Sequence, residues 1–254
     1  MINIIQAVIL GIIQGITEWL PISSSGHLVL FQHFMNIDVP VAFDVMLHLG
    51  TLIVILLIYK DDLIAILRSL FAWKWDKNTR LLVFLMIGSI PTAIAGIFLR
   101  DFFKSMFEGT LVVGLGLLFT SLLLFLSKFG KEKKDLNLKN AFVIGIAQSI
   151  AIFPGVSRSG STISTGLILG AKRKDLARYS FLLLIPAVLG ASIFELSELR
   201  TVPIVPIIAG TLTSIIVGYI SLKWLLRLIQ KDKFHYFSYY CLALGIIVLV
   251  MNFI

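Results

Sequence analysis

Three stretches, Val41–Tyr59, Leu81–Leu99 and Leu111–Leu126, each run the length of a membrane-spanning helix with at most one Asp, Glu, Lys or Arg. About 20 apolar residues in a helix cross a bilayer core, and few soluble folds can bury so many such runs. The chain as a whole agrees: 58% of its 254 residues are hydrophobic and 14% are charged, against about 25% charged in ordinary soluble domains. The formal net charge of +8 comes mainly from Lys and Arg in short segments between apolar runs. That is a membrane-topology pattern rather than a nucleic-acid surface, so no nucleic-acid partner is expected. The single cysteine, Cys241, lies in an apolar run and reads as a small buried hydrophobe. The opening segment lacks a basic region and leads straight into a polar motif, so no cleavable signal is expected.

That motif occurs twice. Ala7–His27, AVILGIIQGITEWLPISSSGH, aligns without a gap on Ala141–Ser161, AFVIGIAQSIAIFPGVSRSGS, at an offset of 134 residues. Gly11 meets Gly145, Gln14 meets Gln148, Ser23 meets Ser157, Ser25 meets Ser159 and Gly26 meets Gly160. Helix is expected to stop near Leu20, because Pro21 follows, and to restart from an N-cap within Ser23–Ser25. Neither piece is long enough to span, so each copy is read as a re-entrant hairpin that returns to its own side. Three spans follow each hairpin. In the first half they are Val41–Tyr59, Leu81–Leu99 with a kink at Pro91, and Thr110–Ser127. The link Lys60–Arg80 reads as a charged loop, and Arg100–Glu108 as a tight polar link. In the second half the spans are Tyr179–Phe194, Ile204–Leu226 and Tyr236–Met251.

The expected fold is therefore an all-α polytopic integral membrane protein with an inverted-topology repeat. Each half is a re-entrant helical hairpin plus three transmembrane helices. One membrane domain covers 1–254, divided into repeats 1–127 and 139–254 by a cytoplasmic linker at 128–138. Under this topology seventeen Lys and Arg fall on one side and only Arg100, Lys104 and Arg200 on the other. The positive-inside rule then places both termini outside, with the hairpins entering from opposite faces to meet near the midplane.

Glu18 and Gln14, four residues apart, share a helical face. A carboxylate in a membrane helix is costly and points to function, although acceptance of hydrogen bonds or a pair with Arg158 would also account for it. Ser24 and His27 lie three residues apart, which suits a nucleophile and a proton carrier, while a packing histidine is the plainer alternative. In Pro154–Gly160, Arg158 offers a fork of donors matched to phosphate oxygens, flanked by Ser157, Ser159 and Thr162. Gly155 and Gly160 let backbone N–H groups approach an anion, and Ser23 and Ser25 belong to the same polar set. Asp44 and His48 are secondary candidates.

These residues carry a resemblance. Gln14–Glu18 with the SSSGH run after it, and Pro154, Gly155, Ser157, Arg158, Ser159 and Thr162 as PGxSRSxxT, resemble the bacterial undecaprenyl-diphosphate phosphatase family associated with bacitracin resistance. The likeness extends over essentially the whole chain. It implies hydrolysis of undecaprenyl diphosphate, and of other polyprenyl diphosphates, to the monophosphate. The site would open to the outer face of the bacterial cytoplasmic (inner) membrane, recycling the lipid for peptidoglycan synthesis. It further implies a divalent cation, Mg²⁺ or Ca²⁺, on the Glu18 and Gln14 face, catalysis by Ser24 and His27, and phosphate binding by Arg158. A homodimer is compatible with the resemblance. Many members carry glutamate where this chain has Gln14, which leaves metal binding resting more heavily on Glu18. The competing reading is a secondary transporter or polyprenyl-phosphate carrier, since inverted repeats with broken helices also build transporters.

Overall fold

The computed structural model describes residues 2–131, 134–195, 203–229 and 233–253. Lys133, Arg200 and Lys231, which enter the charge comparison, and part of the 128–138 linker lie outside the described residues. The described chain is helical: α1 (Ile4–Thr17), α2 (Ser24–Phe34), α3 (Val41–Ile58), α4 (Lys60–Phe71), α5 (Lys77–Phe98), α6 (Arg100–Ser105), α7 (Thr110–Ser127), α8 (Leu138–Ile150), α9 (Arg158–Ile168), α10 (Arg173–Glu195), α11 (Ile204–Ile229) and α12 (Phe237–Phe253). Six helices, α3, α5, α7, α10, α11 and α12, are long and apolar enough to cross a membrane. By contrast α1 and α8 have 14 and 13 residues, or about 20 Å at 1.5 Å per residue, short of a bilayer core of about 30 Å.

Two links differ from the sequence reading. Lys60–Arg80 contains α4, whose Ile66 and Ser69 are buried while Lys60, Leu67 and Phe71 are exposed. The charges that suggested a loop sit on the outer face of an amphipathic helix. Its end is held by Asp76, the N-cap of α5, which accepts hydrogen bonds from Asn78 N, Thr79 N and Ser69 Oγ. The Thr79 backbone N–H, followed by Ser69, keeps the Asp76 carboxyl below the usual carboxylate range. Arg100–Glu108 likewise forms α6 and a 3₁₀ turn.

Glycines set the closest helix crossings. The first helix of each hairpin packs on a span from the other half of the chain: α1 on α11, and α8 on α5. A Cβ at Gly15 would stand 2.8 Å from Gly218 N, and one at Gly145 would stand 2.9 Å from Gly88 Cα. Such approaches let backbones pack directly, which stabilises helix pairs where lipid offers no hydrophobic drive. α7 and α12 pair in the same manner, a Cβ at Gly245 reaching 3.1 Å from Gly114 O. α3 and α10 pack against each other and each also touches the glycine-crossed span beside it, α11 and α5. Trp19, fully buried, meets the Phe181 ring edge-on at 6.0 Å and seats the first hairpin in this frame.

Candidate active site

The two hairpin turns meet tip to tip. α1 ends at Glu18, whose N–H still reaches Gln14 O, and Pro21 prevents continuation. Ser23 then caps α2 at φ 68°, its Oγ accepting from Gly26 N at 3.2 Å. A serine in that region costs about 1–3 kcal/mol and persists only where its surroundings enforce it. In the second hairpin Gly155, at φ 89°, turns the chain, and Ser157 caps α9 by accepting from Gly160 N at 3.0 Å. Thr120 of α7 clamps this turn, donating to Gly155 O and accepting from Ser157 N. A Cβ at Gly26 would lie 2.9 Å from Gly155 Cα, so the turns touch because Gly26 lacks a side chain. Ser159 completes the seam by donating to Trp19 O at 3.2 Å.

Arg158 reaches across that seam. Its Nη2 donates to Glu18 Oε1 at 2.6 Å and its Nη1 to Ser180 O at 3.2 Å. The other carboxylate oxygen, Glu18 Oε2, accepts from Ser24 Oγ at 2.7 Å and from Gln14 Nε2 at 3.0 Å. His48 Nε2 lies 3.4 Å from the same oxygen. Glu18, Ser24, Ser25, Asp44, His48, Ser157 and Arg158 all line a cavity of about 440 Å³. The N-termini of α2 and α9, with Ser24 and Arg158 as their first residues, both open on it. A pair of helix N-termini with a guanidinium favours an anion.

The remaining sequence candidates have other places. Ser23 and Gly160 belong to the caps, Gly155 to the turn and Ser159 to the seam. Thr162 donates to Arg158 O and shares a 2.6 Å hydrogen bond with Ser180 Oγ. His27 is not brought together with Ser24: its Nδ1 bonds Ser23 O at 2.7 Å and its Nε2 bonds the Tyr240 hydroxyl at 2.8 Å. A carbonyl only accepts, so Nδ1 carries the proton and the Nε2 lone pair is occupied by Tyr240. His48 differs in that one respect. Its Nδ1 likewise donates to Asp44 O at 2.8 Å, but its Nε2 faces Glu18 in the cavity. Ser89 and Thr92 of α5 and Gln148 of α8 also line the cavity. Of these only Gln148 had a sequence signal, as the duplicate of Gln14.

The residues fit a hard divalent cation only with help from a substrate. No group of three His, Cys, Asp or Glu close enough to hold a metal occurs among the described residues. Glu18 supplies one carboxylate, and Gln14 Oε1 beside it is a buried acceptor with no partner among the described residues. Carboxylate and amide oxygens with phosphate oxygens form a donor set suited to Mg²⁺ or Ca²⁺.

Residues 7–247 match the family described as bacitracin resistance protein BacA. The chain belongs to that family. The BacA-family chain is also similar over nearly its whole length to curated relatives. An undecaprenyl-diphosphatase of Methanosphaera stadtmanae is 40% identical over 273 residues, covering 99% of each chain. Those of Halothermothrix orenii and Korarchaeum cryptofilum are each 42% identical, and in both cases 98% of the relative is covered.

Proposed function

We propose that this BacA-family chain hydrolyses undecaprenyl diphosphate to undecaprenyl phosphate and inorganic phosphate, supplying carrier lipid for peptidoglycan synthesis. One observation carries the reading on the structural side: Ser24, Glu18, His48 and Arg158 converge in one cavity set among apolar helices. Arg158 binds the terminal phosphoryl group through the Nη2 donor that otherwise holds Glu18. Ser24 Oγ attacks the terminal phosphorus, and the bond to the bridging oxygen breaks. Lipid monophosphate leaves, already a stable anion. The serine proton passes to the Glu18–His48 pair, whose facing atoms can share it at 3.4 Å. Water then cleaves the phosphoserine and releases phosphate. Mg²⁺ or Ca²⁺, held by Glu18 and Gln14, would offset the negative charge of the diphosphate. His27 has no direct part in this scheme.

The inverted-repeat organisation and the orientation belong to the same proposal. The reciprocal packing of α1 on α11 and α8 on α5 supports a duplicated, oppositely inserted unit. The cavity wall includes Arg100 and Lys104, in the segment assigned to the outer side by charge, which supports a site that opens outward and termini that lie outside. The same reciprocal packing suits a lipid carrier, and turnover separates the two. Purified protein in detergent should release phosphate from undecaprenyl diphosphate, stop on chelation and resume with Mg²⁺ or Ca²⁺. Glu18→Gln, which keeps the size of the side chain and one of its two acceptor oxygens, should remain folded and inactive. Full metal-independent turnover would remove the cation from the scheme, and no phosphate release would favour the carrier.

A further inference from the structure

A diphosphate carries two phosphoryl groups, and the side chains around Glu18 account for the terminal one only. The part of the cavity wall formed by α5 and α8 holds three more polar side chains, Ser89, Thr92 and Gln148. Gln148 is 2% exposed. Its Nε2 donates to Thr92 Oγ1 at 3.2 Å, and its Oε1 has no partner among the described residues. A buried polar atom left unpaired is costly, and one on a cavity wall points to an occupant. The duplicated motif narrows what that occupant is. Gln14, the counterpart of Gln148, is oriented by Glu18 Oε2, which accepts from its Nε2 at 3.0 Å. In the second copy the position of Glu18 is held by Ile152, which also lines the cavity. Gln148 thus lacks the carboxylate that orients Gln14 and that a hard cation would share with it.

An amide oxygen and nitrogen are nearly equal in size, and a half-turn about the last side-chain bond exchanges them. So turned, Gln148 accepts the Thr92 hydroxyl proton, whose present acceptor, Gly145 O, lies 3.4 Å away. Its NH₂ group then faces a cavity that Arg158 and two helix N-termini make favourable to anions. Ser89 cannot take that part, because its hydroxyl donates to Leu85 O at 2.7 Å. We propose that Gln148, oriented by Thr92, is a catalytic residue that donates to the proximal phosphoryl group of the substrate, the one that leaves with the lipid. The proposal rests on the reading of the site as a polyprenyl-diphosphate phosphatase. Ser24 enters from α2, which packs on α1 and α7, whereas Gln148 belongs to the α5–α8 wall. A diphosphate between these walls directs its bridging oxygen away from Ser24 Oγ, as in-line attack requires. When the bond from the terminal phosphorus to that oxygen breaks, both electrons stay with the proximal phosphoryl group. The Gln148 N–H stabilises that charge and gives up no proton.

The two products probe the two halves of the site: inorganic phosphate the terminal half, undecaprenyl phosphate the proximal half. Gln148→Met keeps the length of the side chain and loses both donors. It should lower kcat/KM for undecaprenyl diphosphate about tenfold or more, the worth of one hydrogen bond to a charged group. With turnover followed on radiolabelled substrate, inhibition by undecaprenyl phosphate should weaken by a similar factor, while inhibition by inorganic phosphate keeps its wild-type constant. Thr92→Val keeps the shape and removes the orienting hydroxyl. It should move the ratio of the two inhibition constants in the same direction and by less, and it carries the test alone if Gln148→Met does not fold. An unchanged ratio, whether both constants hold or both rise together, overturns the assignment, as does a rise for inorganic phosphate alone. Failure of the wild-type protein to release phosphate from undecaprenyl diphosphate instead overturns the phosphatase reading.

Discussion

His27 Nε2 lies 2.8 Å from the Tyr240 hydroxyl, and the two rings stack 9° from parallel with centroids 5.8 Å apart. This contact joins the first hairpin to the last helix of the chain. It uses the nitrogen that a catalytic base would present, so the proposed scheme makes His27 a positioning residue for the Ser23–Ser24 turn. Tyr240→Phe keeps the ring and removes the hydroxyl, at a cost of about 1 kcal/mol. His27→Ala removes the ring's bonds to Ser23 O and to Tyr240 together with the ring stacking, and should cost more, about 1–3 kcal/mol. Both variants should lower Tm in detergent, and Tyr240→Phe should keep the wild-type pH–rate profile. Unchanged Tm in an inactive His27→Ala variant would contradict this role.

His48 is the histidine placed to exchange a proton with Glu18. With Nδ1 fixed on Asp44 O, its Nε2 is directed at Glu18. His48→Gln should reduce kcat by about 10²–10⁴-fold, the usual worth of a positioned proton acceptor. Its side chain is 23% exposed, so Tm should move little. A fall in kcat at unchanged Tm in His48→Gln checks the assignment; wild-type kcat in that variant would reject it.

Arg158→Lys preserves charge and removes the fork. Two separate guanidinium nitrogens serve Glu18 and Ser180 O, a geometry that a single ammonium cannot reproduce. Loss of one charged hydrogen bond costs about 1.5–3 kcal/mol. kcat/KM for the diphosphate should therefore fall roughly 10–100-fold. Normal kinetics in this variant would make Arg158 a structural counter-ion only.

Orientation is open to labelling. Cys241 is fully buried and gives little background. Single cysteines at Lys60 and Lys174, both exposed, should resist a membrane-impermeant thiol reagent in intact cells, while one at exposed Asp101 should react. Labelling of all three would end the proposed topology.

Membrane class, hairpin breaks and the two polar motifs were legible in the chain because their causes are local. A charge-free run, a proline after a carboxylate or a serine three residues before a cappable N–H acts within about a turn or two of helix. Even there, α4 was hidden, since an amphipathic helix lying beside a bundle has the charge content of a loop. The offset between Ala7 and Ala141 likewise marked the two segments whose turns meet. What the local pattern could not decide was the direction of each side chain once the helices packed. Ser24 and His27 are near in sequence, yet the hydroxyl turns to Glu18 and the ring to Tyr240, 213 residues away. His48 reaches the carboxylate from a separate helix, and Gly96 and Gly190, where an added Cβ would meet no described atom within 4 Å, look the same in sequence as the packed Gly15 and Gly145. Only the tertiary arrangement separates a glycine against a backbone from one facing open space, because that difference lies in what another part of the chain places beside it.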